Sequence, residues 1–351
     1  MALSRRDFLG AAALGSFAAA AGGAPPAQEG GRKPLGIAIS SYAIHARAGR
    51  AKDFAGPLKF LAFCHERGAA GVQVPIGVRD GAYTKAVRRW LDEHRMYLEG
   101  SLRMPRDKAD VERFEAEVCT AREAGATVVR TVMLPGRRYE VFKDAKEYRA
   151  FKERSRQSLR LAEPVVARHK VRLAVENHKD FRVAELVELL RQVGSEWVGA
   201  CVDLGNNVAL LEGPAEVVRA LAPWAFACHF KEMAVADAPD GFLLAEVPLG
   251  EGFLDLKGAV SALRKARPEV RLSLEMITRD PLRVPCLSDG YWATLADVPG
   301  RDLARTLALV RKHGRKTALP RVSPLAQEEQ LAAEDRNVRR SLAFAREHLS
   351  L

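Results

Sequence analysis

The sequence predicts an α/β chain folded as a closed (β/α)8 TIM barrel with a C-terminal helical extension. Three observations carry that expectation. Between residues 35 and 315, eight short apolar runs alternate with longer amphipathic stretches, and strict alternation of β and α implies a parallel sheet. Eight such units in a segment of this length favour a closed barrel over an open doubly wound sheet. No G-x-G-x-x-G follows the first run, which speaks against a dinucleotide-binding sheet.

The elements follow in order. "LGIAISSYAI" (35–44) leads into a helical stretch ending near Gly68, and "GVQVPIG" (71–77) into a helix through Trp90. "YLEGSLRM" (97–104) precedes a helix with Val111, Phe114 and Val118 on one face, closed by Gly125. "TVVRTVML" (127–134) precedes a charged helix over 145–169. "VRLAVENH" (171–178) precedes a helix whose Val183, Leu186, Val187 and Leu190 fall at i, i+3, i+4, i+7. "VGACVDLGN" (198–206) leads to a helix at 214–222. "AFACHFKEM" (225–233) leads to a long loop and then a helix at 256–267. "RLSLEMI" (271–277) leads to another long loop, "RDPLRVPCLSDGYW" (279–292), positioned to act as a lid, and then to a helix at 301–313 with Gly314 as its cap. The barrel is expected over 35–315, with a helical extension over 316–351 built on "LAAEDRNVRRSLAFAREHL".

The first residues read separately. Arg5 and Arg6, then Phe8 and Leu9, then an Ala/Gly-rich stretch form a twin-arginine (Tat) export signal over 1–27, with a disordered junction over 28–34. The expected product is an exported protein of the periplasm or exterior, with no membrane association after signal removal. No later stretch approaches the roughly 18 apolar residues of a membrane span. Five cysteines without motif spacing point to no disulfide framework or structural zinc site. The net charge of +11 is the excess of 55 basic over 44 acidic residues, the basic ones spread along the chain with many on helix faces. With no basic block and no interleaved aromatics, no nucleic-acid partner is expected.

The chemistry lies in the second half. Side chains alternate faces along a strand. Val171, Leu173 and Val175 share one parity, as do Val198, Ala200, Val202 and Leu204, then Phe226, Cys228 and Phe230, then Leu272, Leu274 and Met276. The other parity brings Glu176, Asp203, His229 and Glu275 inward near the ends of four successive runs, where barrel enzymes place their reactive groups. Three carboxylates in one low-dielectric lumen repel and call for a compensating cation. One imidazole with three carboxylates is an oxygen-rich, hard donor set, suited to one divalent ion: Mn²⁺, Mg²⁺ or Co²⁺, with Zn²⁺ compatible. Lys231 and His178 share the inward parity and are candidates to act on substrate oxygens and protons. Asn206, Arg103, Gln73, His45 and Arg279 are candidates to line a substrate pocket.

The motifs "LAVENH", "GACVDLGN", "ACHFKEM" and "LSLEMI", in that order with "PLGEGFLDL" after the seventh run, resemble the xylose isomerase-like barrels, in particular their sugar-phosphate isomerase/epimerase branch. The resemblance covers residues 35–315. It implies that Glu176, Asp203, His229 and Glu275 are the metal ligands and that the two glutamates serve as an acid/base pair on opposite faces of a sugar. One departure stands out. Asp203-Leu204-Gly205-Asn206 has no histidine three residues after the aspartate, and His65, His94, His169, His313 and His348 read as helix-borne. That argues against the trinuclear zinc nucleases of the same superfamily. The implied activity is metal-dependent isomerisation or epimerisation of a non-phosphorylated sugar or keto-sugar through an enediolate. A lyase or decarboxylase acting on a 3-keto sugar or glycoside, and a non-catalytic sugar-binding barrel, are the alternatives. The implied partner is a small carbohydrate, and the composition leaves room for a homo-oligomer.

Overall fold

In a computed structural model, which describes residues 34–48, 54 and 56–351, the chain from Lys33 onwards is one compact unit. The predicted export signal and all of the junction except residue 34 lie outside the described residues. The strands are β1 Gly36–Ala38, β2 Gly71–Val74, β3 Tyr97–Ser101, β4 Val128–Thr131, β5 Arg172–Glu176, β6 Val198–Asp203, β7 Ala225–Phe230, β8 Glu232–Ala238, β9 Gly241–Val247, β10 Arg271–Leu274 and β11 Leu282–Val284. The helices are α1 Ala43–Arg47, α2 Pro57–His65, α3 Gly81–His94, α4 Val111–Glu123, α5 Arg138–Val141, α6 Ala145–His169, α7 Val183–Val193, α8 Pro214–Leu221, α9 Leu256–Ala266, α10 Gly300–His313 and α11 Gln327–His348. Eight strands close in the order β1-β10-β7-β6-β5-β4-β3-β2, all parallel. This is the expected (β/α)8 barrel.

Local chemistry sets the helix limits. Asp144 and Asp255 accept hydrogen bonds at the first turns of α6 and α9, from Glu147 N at 2.8 Å and Gly258 N at 2.9 Å, a standard way to satisfy free N–H groups. Gly194 ends α7 at φ 63°. Gly314 does close α10, but at φ −59° and not in the left-handed cap its residue type suggested. The helix expected up to Gly68 is divided into α1 and α2.

The two faces of the barrel separate as the alternation predicted. Val72, Leu98, Val129, Leu173, Val175, Val202, Cys228, Phe230, Leu272 and Leu274 join the helices in the main apolar core. Phe226 departs from that row and packs with Ala174, Cys201 and Ala227. The β6–β7 pairing runs Ala200↔Ala225 and then Cys201↔Ala227, so one extra residue on β7 moves Phe226 to the other face.

The long loop expected after β7 is structured. β8 and β9 form an antiparallel hairpin, and β11 adds to β9 as a third strand. The period-2 alternation of "EMAVADA" and "FLLAEV" around "PDG" carries that signal. Gly241 is required there: its φ is 149°, and a Cβ would lie 2.2 Å from Val284 O. The segment expected as a lid contributes β11 and a tight turn whose Tyr291 is buried and donates to Ala209 O at 2.9 Å.

α11 packs on the barrel through Val338, Leu342 and Ala345. Its buried Glu334 accepts Ile44 N at 2.7 Å and His45 N at 3.0 Å, so the last helix holds the first turn of α1. Among the described residues, no helix is long and apolar enough to cross a membrane.

Candidate metal centre

Each of the four inward donors sits at a strand end. Glu176 ends β5 and Asp203 ends β6, His229 pairs in register with Asp203, and the Glu275 N–H donates to Phe230 O at 2.9 Å. All four are buried, and one ligand atom from each lies within 4.8 Å of all the others. From His229 Nδ1 it is 3.3 Å to Glu176 Oε2, 3.3 Å to Glu275 Oε1 and 3.9 Å to Asp203 Oδ2. Among the described residues, His229 Nδ1 has no hydrogen-bond partner, and Asp203 Oδ2 accepts no hydrogen bond although the Lys231 ammonium lies 2.7 Å away. Unsatisfied buried polar atoms are uncommon, and these two point into one donor set. The group could therefore hold a metal ion.

Two protein cations already act on the carboxylates. Arg130, on β4, donates to Glu176 Oε2 through Nε at 2.6 Å and through Nη2. Lys231 pairs with Glu275 and lies 2.7 Å from Asp203 Oδ2. The repulsion that seemed to call for a bound ion is thus partly offset by the chain itself. The unpartnered His229 Nδ1, turned toward three carboxylates, remains the firmer sign of a metal-binding set. Burial would raise the pKa of Glu176, but Arg130 and His229 outweigh it and hold that carboxyl well below the usual range. Glu275 is lowered likewise against burial, by His229 and Lys231. Burial raises Asp203 above its ordinary value despite Lys231.

A second layer orients these groups. Asn206 Nδ2 donates to Glu176 Oε1 at 3.0 Å, and Ser40 Oγ donates to Glu275 Oε1 at 2.8 Å. Asn177 receives Asp203 N at 2.8 Å and donates to Asp203 O at 2.9 Å. His229 Nε2 meets Gln73 Oε1 at 2.6 Å, and Gln73 Nε2 donates to Glu99 Oε2 at 3.0 Å. Because the Gln73 amide gives its N–H to a carboxyl, its oxygen accepts, and His229 Nε2 is the donor.

The profile of the family described as xylose isomerase-like TIM barrel matches residues 61–312. The chain belongs to the xylose isomerase-like TIM barrel family. A curated relative of this xylose isomerase-like barrel, the 3-oxo-isoapionate decarboxylase of Pectobacterium atrosepticum, is 29% identical over 108 residues. That match covers 30% of this chain and spans only 39% of the relative's length. Among solved structures, a xylose isomerase-like TIM barrel protein from Mycobacterium smegmatis in complex with magnesium superposes with a TM-score of 0.51 and 18% identity, over 78% of this chain and 97% of that one. A D-tagatose 3-epimerase-like protein gives 0.52 and 14%, over 80% and 96%. The IolI protein with a bound zinc atom gives 0.51 and 18%, over 81% and 100%. At these identities the likenesses speak for the fold.

The other sequence candidates scatter around this xylose isomerase-like barrel. Lys231, Asn206 and Gln73 touch the four-residue cluster directly. His178, just past β5, is half-buried, with Nδ1 buried and without a hydrogen-bond partner among the described residues; burial and Lys179 lower its pKa to about 4. Arg279 pairs with buried Glu246 of β9, its Nε at 3.1 Å. His45 lies on α1, its Nδ1 2.7 Å from Glu334, within a ring cluster with Tyr42, Phe54 and Phe63. Arg103 is exposed just past β3. Sequence reasoning missed Arg130, Glu99, Ser40, Lys179 and Glu246. Arg130 and Glu99 were visible as charges inside "TVVRTVML" and "YLEGSLRM", where a buried charge requires a partner.

Proposed function

We propose that the chain is a divalent-metal-dependent sugar isomerase or epimerase acting through an enediolate on a non-phosphorylated sugar or keto-sugar. The observation that carries this reading is the buried set Glu176, Asp203, His229 and Glu275, one ligand atom from each within 4.8 Å of the others, with His229 Nδ1 unpartnered. A bound divalent ion would supply polarisation of a carbonyl and a grip on the neighbouring hydroxyl. The hard donor set suits Mn²⁺, Mg²⁺ or Co²⁺ and accepts Zn²⁺.

The chain's own residues supply the rest. Glu176 and Glu275 are held ionised, as a base that removes an α-proton must be. Arg130 with Asn206 fixes one, and Lys231 with Ser40 fixes the other. One glutamate takes the α-proton; delivery of a solvent proton to the opposite face through the other glutamate is epimerisation, and return of the abstracted proton to the adjacent carbon is isomerisation. Lys231 is placed to stabilise charge developing on a substrate oxygen. His178, neutral at pH 7 by its lowered pKa, is placed to pass a proton. A free, non-phosphorylated sugar fits the Tat export expected from Arg5 and Arg6, and no Walker-type phosphate loop occurs in the sequence.

A decarboxylase is the second reading, favoured by the Pectobacterium relative. There the bond to a carboxylate β to the carbonyl breaks, its electron pair enters the carbonyl, CO2 leaves, and the carbon takes up a proton.

The test is incubation of metal-loaded protein with a panel of keto-sugars in D2O. Epimerase activity gives a product isomeric with the substrate and carrying one solvent deuteron, and isomerase activity gives an isomeric product. Decarboxylation gives CO2 and a product one carbon shorter. Metal binding with no product and no deuterium incorporation would sink the enzymatic reading in favour of a binding barrel.

A further inference from the structure

Lys179 lies three residues past the end of β5 and is 2% exposed. Among the described residues, the other buried lysine and arginine side chains sit in ion pairs: Arg138 with Glu185 at 2.7 Å, Lys231 with Asp203 at 2.7 Å and with Glu275. Among the described residues, Lys179 has no carboxylate in ion-pair range. Its ammonium donates to Asn206 Oδ1, and the same amide donates to Glu176 Oε1 at 3.0 Å. The charge is therefore one amide away from a proposed metal ligand, within the same site. A buried ammonium answered by a neutral amide alone is an expensive arrangement unless something anionic completes it. Burial and nearby Lys231 pull its pKa down to about 8.

The local charge count points the same way. Arg130, Lys179, Lys231 and Arg279 are set against Glu176, Asp203, Glu275 and Glu246. With His229 deprotonated by the bound ion, these eight groups sum to zero and the ion adds two positive charges; Asp180, which burial raises to about 7, offsets at most one of them. A neutral sugar would leave that excess in place.

We propose that the substrate carries a carboxylate and that Lys179 receives it, so that the site takes sugar acids or keto-acids in preference to neutral sugars. This rests on the metal-site reading above. A single ammonium suits a monoanionic carboxylate better than a phosphate dianion, which needs several donors.

The experiment uses the full chain loaded with Mn²⁺. Calorimetry with Mn²⁺ alone comes first; no binding there sinks the metal reading by itself. Matched keto-sugar pairs that differ only in CH2OH against COO⁻ are then compared by calorimetric affinity and by KM, with the phosphate ester as a third member. The expected result is a preference for the acid of about tenfold or more. In Lys179→Met the acid-to-neutral ratio should fall to about one, and in Lys179→Arg most of it should return. If Lys179→Met does not fold, the wild-type ratio and the Lys179→Arg ratio decide alone. Equal use of acid and neutral partners, preference for the phosphate ester, or an unchanged ratio in Lys179→Met overturns the inference while leaving the metal reading standing.

Discussion

His229 gives its Nε2–H to the side-chain oxygen of Gln73, 2.6 Å away, and so turns Nδ1 toward Glu176, Asp203 and Glu275. The Gln73 amide is itself fixed by Glu99. Partners that orient a ligating histidine typically change metal affinity by about 10–100-fold when removed. Gln73→Leu should therefore weaken Mn²⁺ binding by roughly that factor with little change in the folded far-UV spectrum. Unchanged affinity would mean that packing alone orients the ring.

The metal affinity should also depend on pH. Burial disfavours a charged imidazole, but Cys201 and the Glu275 and Glu176 carboxylates outweigh it, raising His229 well above its ordinary pKa. The metal-free ring is then protonated at neutral pH, and an incoming ion displaces that proton. Affinity rises with pH, with about one proton released. Calorimetry in two buffers of different ionisation enthalpy measures the release, and a value near zero contradicts the assignment.

Glu176→Gln removes both a proposed base and the counter-charge of Arg130. Activity should fall by about 10²–10⁴-fold. Stability should fall by about 1–3 kcal/mol, less than for a fully buried broken pair because Arg130 keeps 18% side-chain exposure. Urea denaturation reads the second effect, and equal stability would show that water compensates Arg130.

Glu232 gives a pH effect outside the site. Burial raises its pKa to about 7, although its carboxyl accepts Leu254 N at 2.9 Å and Met233 N at 3.1 Å. The folded state therefore keeps a proton that the unfolded chain loses near the ordinary glutamate value of about 4.3. Stability contributed by this group falls as pH rises through that window and levels off above about 7. Burial pushes Glu99 and Asp180 up to about 7 too, and they add in the same direction. Glu232→Gln should flatten the decline of the urea midpoint between those pH values. A slope as steep as in the wild type would assign the effect to the other two.

Gly71→Ala tests the barrel floor. A Cβ at Gly71 would lie 2.3 Å from the Tyr97 ring, so the substitution should cost about 1–3 kcal/mol. Most of that should be recovered in the background of Tyr97→Leu. Additive losses in the double variant would contradict the clash.

The barrel and its reactive rim were legible because two periods dominate this sequence. Alternation in "LAVENH" and "ACHFKEM" separates core from lumen without any tertiary information, and it placed Glu176 and His229 on the correct face. What escaped depends on contacts distant in sequence. Arg130 and Glu176 are partners across adjacent strands, and Glu334 answers the first turn of α1 from the last helix. Such pairs leave no local period. The β6–β7 bulge that moves Phe226 has no mark of its own. The β8–β9 hairpin did have one, in the "PDG" between two alternating runs, and it was hidden by reading polar residues as loop.

Tyr97 spans the lower lumen against Gly36 and Gly71, its hydroxyl donating to Leu272 O at 3.2 Å and lying 3.0 Å from Ser273 Oγ. The ring therefore fills the lower end of the cylinder among the described residues. Whatever descends to the acidic residues must climb back out over the same rim. Under the proposed enzymatic reading, arrival of one molecule and departure of the one before it would share that rim, and turnover would be limited by how fast it clears.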